Sequence, residues 1–389
     1  MKSRDIFPIL IEHLSQKQIT VITGMRRVGK TTAIKYLLDN IASDNKIYID
    51  LEKIENRYIF NQSTYKDIEI SLSIEGIDFS KKSYIAIDEI QLVKNLPSVL
   101  KYFYDNYEVK FIVTGSSSFY IKNHFSESLA GRKTIFEMYP LSFSEYLEFK
   151  NIKVTYRFSG NFEKFNQTLY NKFKSYYLDY LHFGGFPEVV CSDNDKQKVD
   201  YLKDIINSYI ELDIKLLSDF SQSDLLYKLI KLLSSRAGNK VEYSKLGAVL
   251  NINQQKIKEY ILLLEFTYFI RLISPFTKSA DREISQQQKL YFADNGILST
   301  LTNAPSGVLL ENSIANQLAR LGEINYYAKK TGQEIDFILN KNTAFEVKET
   351  PVEQDLKTLL RRAKSINIEK AFVIGLHPTF DNFVWAATV

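Results

Sequence analysis

The stretch "ITGMRRVGKTT", Ile22–Thr32, is the strongest indication of the fold of the amino-terminal part of this chain. It matches the pattern G-x-x-x-x-G-K-[ST] in full through Gly24, Gly29, Lys30 and Thr31, between a short apolar run and a stretch with helical spacing. Glycines let such a loop curl so that its backbone N–H groups point inward, and the helix that follows turns its positive dipole end toward a phosphate. The pattern predicts a strand, a phosphate-binding loop and a helix.

The loop also predicts a set of nucleotide contacts. Lys30 is expected to bind the β and γ phosphates, and Thr31 is expected to place its hydroxyl on Mg²⁺. Arg26 and Arg27 either help to attract a polyanionic ligand or are solvated charges on the loop tip. The residues predicted to contact the nucleotide are Gly24, Arg26, Arg27, Val28, Gly29, Lys30, Thr31 and Thr32.

A second signal is "YIAIDEIQ", an apolar strand that ends in the two acids Asp88 and Glu89. Asp88 is predicted to hold the Mg²⁺ shell, directly or through water, and Glu89 to orient or deprotonate the attacking water. Alone, an Asp-Glu pair at a strand end is equally typical of a helix start. Because it follows a complete phosphate loop here, the catalytic interpretation is favoured.

Two further polar signals follow in the same part of the chain. The strand that ends in "VTGSSS" puts Thr114 and Ser116 at the carboxyl edge of the sheet, where they either sense the γ phosphate or form a turn. Arg132, in "LAGRKTIFEMYPL", directly precedes a predicted strand. It is predicted either to reach a neighbouring subunit's nucleotide as an arginine finger or to form a surface salt bridge.

Composition bounds the class of protein. A length of 389 residues suits two or three domains, and 45% apolar with 25% charged residues is typical of soluble globular chains. Cys191 is the only cysteine, which excludes an internal disulfide and thiol-rich zinc sites. The net charge of +4 is only a weak indicator of an anionic partner. No apolar stretch reaches the ~20 residues that span a bilayer, and no signal peptide is evident, so we expect a cytoplasmic protein without membrane contact.

The pattern of strands and helices predicts an α/β protein in four parts. Short β-branched runs separated by helical periods indicate a buried parallel sheet, whereas later stretches have long amphipathic helices or the rhythm of a helix-turn-helix. The predicted parts are a phosphate-loop domain at 1–145, a helical lid or connector at 146–220, a helix-turn-helix with a wing at 221–277, and a second α/β domain at 278–389.

The last part carries a group of acids. On "TAFEVK", Glu346 and Lys348 project from one face, and Asp336 lies on the neighbouring strand "EIDFIL". If the two strands pair as a hairpin, these side chains converge, with Glu311 added from the helix "LLENSIANQL". Three carboxylates and a lysine suit one or two Mg²⁺ ions and a water that attacks a phosphodiester. A salt-bridged polar sheet face is the alternative interpretation.

Taken together, these segments resemble a known family over nearly the whole chain. The family consists of bacterial and archaeal AAA-type ATPases in which a P-loop domain precedes a winged-helix segment and a C-terminal domain of PD-(D/E)xK nuclease-like fold, related to restriction endonucleases. The segments that carry the resemblance are "ITGMRRVGKTT", "IDEIQ", "VTGSSS", "LAGR", "PLSFSEY", "FGGFPEVV", "YFADNGIL", "LENSIANQL", "QEIDFIL" and "AFEVK".

The resemblance implies roles for individual residues. ATP and Mg²⁺ are the implied ligands, with hydrolysis assigned to Lys30, Thr31, Asp88 and Glu89 and the arginine finger to Arg132. The acidic and lysine positions of the nuclease-like fold fall on Glu311, Asp336, Glu346 and Lys348. The sequence departs from the family pattern at Ile335, which stands where a proline would precede Asp336. Cleavage therefore stays open, since members of this fold often serve only as binding modules.

Three functions remain open from the sequence. The first is a Mg²⁺-dependent ATPase that acts on or is bound to DNA, as a homo-oligomer. The second is an ATP-dependent regulatory switch that binds protein partners and has a non-cleaving nuclease-like domain. The third is a Mg²⁺-dependent DNA nuclease. DNA binding that weakens with salt, as phosphate contacts require, separates the first from the second.

Overall fold

A computed structural model provides the structure of the protein and describes residues 2–115, 129–156, 158–160, 162–214, 223–277, 286–329 and 332–389. Two five-stranded sheets and one two-stranded sheet form its strand framework within these ranges. Helices fill the space between the sheets.

The first sheet is parallel throughout and has the order β2-β3-β4-β1-β5. Its strands are β1 (Ile19–Thr23), β2 (Lys46–Asp50), β3 (Ser83–Asp88), β4 (Val109–Gly115) and β5 (Lys133–Glu137). Every residue of β1 and β4 is buried, as expected for a sheet covered on both faces. The prediction of a buried parallel sheet is confirmed. Because parallel strands share one carboxyl edge, the loop after β1 and the acids after β3 meet there.

Helices connect the strands of this sheet. They are α1 (Phe7–His13), α2 (Lys30–Asp39), α3 (Ile54–Phe60), α4 (Tyr65–Ile74) and α5 (Leu96–Asn106). The helix α2 follows the phosphate loop directly and buries Ala33, Ile34, Leu37 and Leu38 against the sheet, at the spacing of an amphipathic helix. The loop is therefore fixed between a buried strand and a packed helix.

Helices alone occupy the described stretch that follows the first sheet. They are α6 (Phe143–Phe149), α7 (Gln167–Phe183), α8 (Pro187–Cys191) and α9 (Asp195–Ser208), followed by a π-helix at Tyr209–Ile214. A capping box of Ser142 and Glu145 starts α6, and Gly184 ends α7 with a φ of 75°. The sequence pattern indicates helices in this stretch, although the predicted border at 145 falls inside α6.

Three short helices and a two-stranded antiparallel sheet come next. They are α10 (Ser223–Ser234), α11 (Tyr243–Leu250), α12 (Gln254–Phe266), β6 (Ile270–Ile273) and β7 (Lys289–Phe292). Asn251 ends α11 in the left-handed region with a φ of 55°, which produces the tight turn into α12. The predicted border between 277 and 278 separates β6 from β7. The sequence pattern missed this pairing because the two strands are joined by a long connection.

The second large sheet is mixed and has the order β12-β11-β10-β9-β8. Its strands are β8 (Ile324–Ala328), β9 (Glu334–Leu339), β10 (Thr343–Lys348), β11 (Lys370–Gly375) and β12 (Val384–Trp385), with helices α13 (Asn295–Leu301), α14 (Ser306–Ala319) and α15 (Glu353–Lys364). The strands β9 and β10 pair antiparallel, and β10 and β11 pair parallel. The expected hairpin of the acid-bearing strands is present.

The helix α7 packs against α6 and against β12, the last strand of the second sheet. The ring of Tyr177 lies 5.1 Å from that of Phe143 on α6 and 5.9 Å from that of Trp385 on β12, centroid to centroid. Tyr177 and Trp385 are both fully buried. These large side chains belong to one apolar cluster whose members run from Phe7 on α1 to Val389. Burial of that apolar surface, which contributes about 25 cal/mol per Å², joins the first sheet to the second through α7.

Candidate nucleotide-binding site

The loop between β1 and α2 depends on its two glycines for different reasons. Gly24 has a φ of 147°, and a Cβ atom there would lie 2.1 Å from the carbonyl oxygen of Met138. Gly29 has a φ of 102° and caps α2 in the left-handed region. A side chain at Gly24 would clash with the segment after β5, and one at Gly29 would strain the backbone. The backbone of Met138 therefore packs directly against Gly24, at the point where the loop begins after β1.

Lys30 lies inside this loop. Its side chain is buried, and Nζ donates to the carbonyl oxygens of Gly24 at 2.9 Å and Met25 at 3.0 Å. A buried ammonium group is costly unless charge or hydrogen bonds compensate for its lost hydration. The loop therefore holds a positive charge at the carboxyl edge of the sheet, as predicted for a lysine that binds phosphate.

Asp88 connects three of the strands at this edge. The Thr31 hydroxyl donates to Asp88 Oδ2 at 2.7 Å, and the Tyr48 hydroxyl donates to the same oxygen at 3.0 Å. The Thr114 hydroxyl donates to Asp88 Oδ1. The structure thus brings together the predicted residues Thr31, Asp88 and Thr114, while Ser116 lies outside the described residues. Thr31 and its neighbour Thr32 are exposed at the start of α2, where a ligand can reach them.

Tyr48 is a member of this group that sequence reasoning missed. It lies on β2, which pairs parallel with β3 so that Tyr48 faces Ala86 in the register. Burial and the negative charge of Asp88 raise the pKa of the Tyr48 hydroxyl well above its ordinary value, so it remains a donor. The sequence does show a tyrosine near the carboxyl end of β2. It could be assigned to the site only once β2 was known to be the neighbour of β3 in the sheet.

Glu89 adopts an unusual backbone conformation directly after Asp88. Its φ is 57°, in the left-handed region that non-glycine residues rarely occupy outside functional sites. Its N–H donates to Thr114 Oγ1 at 3.2 Å, and Gln91 donates to its carboxylate. Burial raises the pKa of Glu89 above its ordinary value, against the opposing charge of Lys30. A carboxylate with a raised pKa is a stronger proton acceptor, which fits the predicted role.

The two arginines of the loop are held by other parts of the chain. Arg26 Nη1 lies 3.3 Å from Glu52 Oε1, and Arg27 Nη1 lies 3.5 Å from Glu188 Oε2 on α8. Arg27 also donates to Ser208 Oγ at 3.4 Å and has a φ of 64°. The solvated interpretation of these charges is incomplete, because Arg27 joins the loop tip to the helices α8 and α9.

Arg132 lies at the opposite edge of the same sheet. It precedes β5, and its Nε and Nη2 atoms donate to the two carboxylate oxygens of Asp105 at 2.8 and 3.0 Å. The loop is at the carboxyl edge, so Arg132 does not reach the loop of its own chain. The pair is on the surface, as in the salt-bridge alternative, while a role as a finger for another copy stays a prediction.

The acids of the second sheet converge, together with a lysine that sequence reasoning missed. Phe345 on β10 lies opposite Phe337 on β9. Because the two strands are antiparallel, the next residue of β10, Glu346, lies opposite Asp336. Burial and the charges of Glu346 and Glu311 raise the pKa of Asp336 to about 7. Lys289 of β7 reaches this cluster: its Nζ lies 2.6 Å from Glu334 Oε1 and 3.5 Å from Glu311 Oε1.

Further groups contact the remaining acids of this cluster, although Glu346 Oε2 is buried and has no hydrogen-bond partner among the described residues. Tyr291 donates to Glu311 Oε1 at 2.7 Å, Lys348 Nζ lies 2.9 Å from Glu346 Oε1, and Arg362 Nη1 lies 3.7 Å from Glu346 Oε2. Within the described part of the chain, no group of three or more His, Cys, Asp or Glu residues is arranged to hold a metal ion. The predicted ligands Glu311, Asp336 and Glu346 meet, and cations of the chain pair with Glu311 and Glu346, whereas Asp336 accepts from the N–H of Val347. Their assignment to metal stays a prediction.

The parallel sheet, the phosphate loop and the buried Asp88 define a P-loop domain, and a comparison with protein families specifies its class. Residues 16–147 match a family described as an AAA domain, so this part of the chain is similar to AAA domains. Residues 174–307 match a domain of unknown function (DUF8612), and residues 306–384 match another (DUF4143). Among the described residues, no helix is long and apolar enough to cross a membrane.

Similar proteins cover most of the chain. An uncharacterized protein of Methanocaldococcus jannaschii is 28% identical over 374 residues, which is 92% of this chain and 81% of the relative. An uncharacterized protein of Haemophilus influenzae is 26% identical over 366 residues, 89% of this chain and 87% of the relative. Among solved structures, the Aeropyrum pernix ORC1 protein in complex with DNA is 12% identical with a TM-score of 0.36, and the match covers 78% of this chain and 93% of that protein.

Proposed function

We propose that the protein binds ATP with Mg²⁺ and hydrolyses it at the loop between β1 and α2. The observation that carries the proposal is the contact between Thr31 and Asp88, next to the buried Lys30. A hydroxyl and a carboxylate held together offer the oxygen ligands that Mg²⁺ prefers, and the lysine offers a charge for phosphates. The chemistry of these donors fits a magnesium-bound nucleoside triphosphate.

Each residue of the site then has a defined task. Lys30 binds the β and γ phosphates, and Thr31 with Asp88 holds the Mg²⁺ ion. The ion supplies charge neutralisation for the phosphoryl group when it is bound. Glu89 orients the attacking water and accepts its proton at the carboxylate, while Thr114 fixes Glu89 through the N–H of that residue.

Two substitutions separate binding from hydrolysis. Lys30→Ala should lower nucleotide affinity, because it removes the cation that binds the phosphates. Glu89→Gln should keep the affinity and lower kcat by about a hundredfold or more, since the amide cannot accept the proton. Lys66→Ala, an exposed lysine on α4, is the matched control and should behave as the wild type. An unchanged kcat in Glu89→Gln would contradict the role of that residue.

We also propose a homo-oligomer in which Arg132 of one copy reaches the nucleotide of the next. Support comes from the position of Arg132 at the edge of the sheet opposite its own loop, where it is exposed enough to change partners. Arg132→Ala and Lys30→Ala should each be inactive, and mixing the two should restore part of the hydrolysis, because some sites then combine an intact loop with an intact arginine. No recovery on mixing, over a range of ratios, would contradict the finger role.

DNA is the proposed partner of the ATPase. The three helices α10, α11 and α12 with the antiparallel strands β6 and β7 support this, since such a unit can place one helix in a groove. Its lysines are partly paired with acids, as in Lys245 with Glu242 and Lys256 with Glu259, so the expected affinity is modest. Binding of duplex or branched DNA should weaken steeply with salt. Absence of binding to any DNA form at low salt would contradict this partner.

The second candidate function is an ATP-dependent switch whose C-terminal domain does not cut DNA. The observation that favours it is Lys289, whose ammonium lies among the acids that a nuclease would use for metal. Incubation of plasmid DNA with Mg²⁺ should give no nicking above that of Asp336→Ala or Lys348→Ala. Nicking by the wild type that both variants abolish would instead establish a nuclease.

A further inference from the structure

Arg4, far from the loop in sequence, is buried against it. It precedes α1 and is only 5% exposed, which is rare for an arginine unless every donor has a partner. Its Nη1 donates to the carbonyl oxygen of Val28 at 2.8 Å, and its Nη2 donates to that of Tyr139 at 2.7 Å. Its Nε donates to Glu145 Oε1 at 2.7 Å. One guanidinium thus joins the phosphate loop, the segment after β5 and the helix α6.

The contact with Val28 determines how one peptide unit of the loop is oriented. A trans peptide is planar, and the C=O of one residue and the N–H of the next point in opposite directions. With the Val28 carbonyl directed to Arg4, the N–H of Gly29 points away from Arg4. Phosphate-binding loops use such N–H groups as donors to the ligand. The orientation of the Gly29 donor is thereby linked to a side chain at the amino end of the chain.

The contact with Tyr139 acts on the same loop from its other end. Tyr139 follows Met138, whose carbonyl oxygen leaves no room for a side chain at Gly24. Arg4 therefore holds both the last part of the loop, at Val28, and the segment on which its first glycine rests. A shift of the guanidinium would affect both ends of the loop.

Arg4 is itself held by a fixed carboxylate. Glu145 Oε1 also accepts from the N–H of Asp5 at 2.8 Å, and Oε2 accepts from the N–H of Ser142 at 2.8 Å in the capping box of α6. Arg320, at the end of α14, lies 3.9 Å from Oε2. Burial raises the pKa of Glu145, but the charges of Arg4 and Arg320 outweigh burial and keep the pKa below its ordinary value. The carboxylate stays charged and rigid.

We propose that Arg4 is a positioning residue of the nucleotide site, whose guanidinium orients the Val28–Gly29 peptide for phosphate binding. The inference rests on the proposed ATP binding and hydrolysis. Arginine is required because its planar fork reaches three acceptors in fixed directions, whereas a lysine presents one point charge at the end of a flexible chain. Arg4→Lys keeps the charge and removes this geometry.

The test compares Arg4→Ala and Arg4→Lys with the substitution of a buried lysine elsewhere in the domain. Lys110 is 1% exposed, and its Nζ donates to the backbone carbonyls of His13 at 2.8 Å, Gln16 at 2.9 Å and Gln18. It lies near the amino edge of β4, away from the loop. Burial lowers the pKa of Lys110 to about 7. Lys110→Met is therefore a control that removes a buried, carbonyl-bound amino group without touching the nucleotide site.

KM for ATP, kcat and Tm are measured for all variants at a temperature at which each is folded. Arg4→Ala and Arg4→Lys should raise KM for ATP about tenfold or more, with a smaller change in kcat, since a misdirected donor weakens phosphate binding. Lys110→Met should lower Tm and leave KM within about twofold of the wild type. Guanidinium ion at millimolar concentration should lower the KM of Arg4→Ala part of the way toward the wild-type value, and ammonium ion should not.

Two outcomes would overturn the inference, and they differ from failure of the proposed function. Wild-type KM in Arg4→Lys would show that the charge alone suffices. Equal rises of KM in Arg4→Lys and Lys110→Met would show a general effect of lost stability. A wild-type protein that neither binds nor hydrolyses ATP would overturn the proposed function and this inference together.

Discussion

The Thr31 hydroxyl at the start of α2 donates to the buried carboxylate of Asp88 at the end of β3, at 2.7 Å. The two residues are 57 positions apart in the sequence, and β1, β4 and β3 bring them to one edge of the parallel sheet. Tyr48 and Thr114 donate to the same carboxylate from the strands on either side of β3. Asp88 is therefore the center of the polar contacts beside the phosphate loop.

Replacement of this carboxylate should impair metal use more than nucleotide binding. Asp88→Asn keeps the shape but removes the negative charge that attracts Mg²⁺. The Mg²⁺ concentration for half-maximal hydrolysis should rise about tenfold or more, as measured by ATPase titration at saturating ATP. Asp44→Asn, an exposed acid before β2, is the control and should leave the titration unchanged. The same Mg²⁺ dependence in both variants would contradict the role of Asp88.

Tyr48→Phe should have a smaller effect in the same direction. The substitution removes one of three donors to Asp88 and leaves the ring in place, so the loss in stability should be about 1 kcal/mol. The variant should hydrolyse ATP a few times more slowly, because Asp88 is less firmly oriented, as steady-state kinetics would detect. Tyr58→Phe, an exposed tyrosine on α3, should match the wild type. A fully inactive Tyr48→Phe would require a direct role in catalysis.

Asp294 gives a pH dependence of stability with a definite sign. It is fully buried, and burial raises its pKa from 3.8 to about 6, although the N–H groups of Gly185, Gly296 and Ile297 oppose the rise. The folded state therefore binds the proton more tightly than the unfolded state, and stability falls as the pH rises from about 4 through about 6. A shift of two pKa units corresponds to about 3 kcal/mol.

Comparison with Asp294→Asn isolates this contribution. The variant cannot titrate at this position, and the other groups titrate alike in both proteins. The free energy of unfolding of the wild type relative to the variant should therefore fall by up to about 3 kcal/mol between pH 4 and pH 7. Denaturant unfolding at several pH values measures the difference. A difference that stays constant, or that grows in favour of the wild type as the pH rises, would contradict the assignment.

Lys289→Met tests the cation in the acid cluster of the second sheet. Removal of the ammonium leaves Glu311, Glu334 and Asp336 to repel one another, which should lower the free energy of unfolding by about 2 to 3 kcal/mol. Millimolar Mg²⁺ should recover part of that loss in the variant and change the wild type little, since the metal then replaces the lysine. Thermal unfolding with and without Mg²⁺ gives the comparison.

A surface lysine provides the control for this substitution. Lys341 is 60% exposed and lies 3.5 Å from Glu323, so Lys341→Met should keep wild-type stability with and without Mg²⁺. Equal responses of Lys289→Met and the wild type to Mg²⁺ would contradict the view that Lys289 takes the place of a metal ion.

The residues that sequence reasoning found are those with a local pattern. The phosphate loop has fixed spacing within a few residues, and Asp88 and Thr114 end apolar runs whose carboxyl edges must coincide in a parallel sheet. The hairpin of β9 and β10 was a condition for the convergence of the acids, and the two strands pair antiparallel in the structure. In each case the information lies within one element or between neighbouring elements.

Arg4, Tyr48 and Lys289 were missed because they belong to no sequence motif, and only the tertiary packing places them beside their partners. Arg4 meets Glu145 across 141 positions, and no spacing rule connects them. Lys289 lies on β7, which pairs with β6, and its ammonium contacts Glu334 on β9 of the second large sheet. Likewise, the motifs "FGGFPEVV" and "YFADNGIL" meet in a contact in which Asp294 accepts from the N–H of Gly185 at 2.7 Å. Such contacts depend on tertiary packing, which local patterns do not determine.

Whether the loop between β1 and α2 binds ATP is answered by equilibrium binding of labelled ATP in the presence of Mg²⁺, with the wild type and Lys30→Ala measured side by side. The proposed site predicts saturable binding by the wild type that falls about tenfold or more in affinity in the variant, with both proteins folded by circular dichroism. No binding by the folded wild type, or equal binding by the two proteins, would contradict an ATP site at this loop.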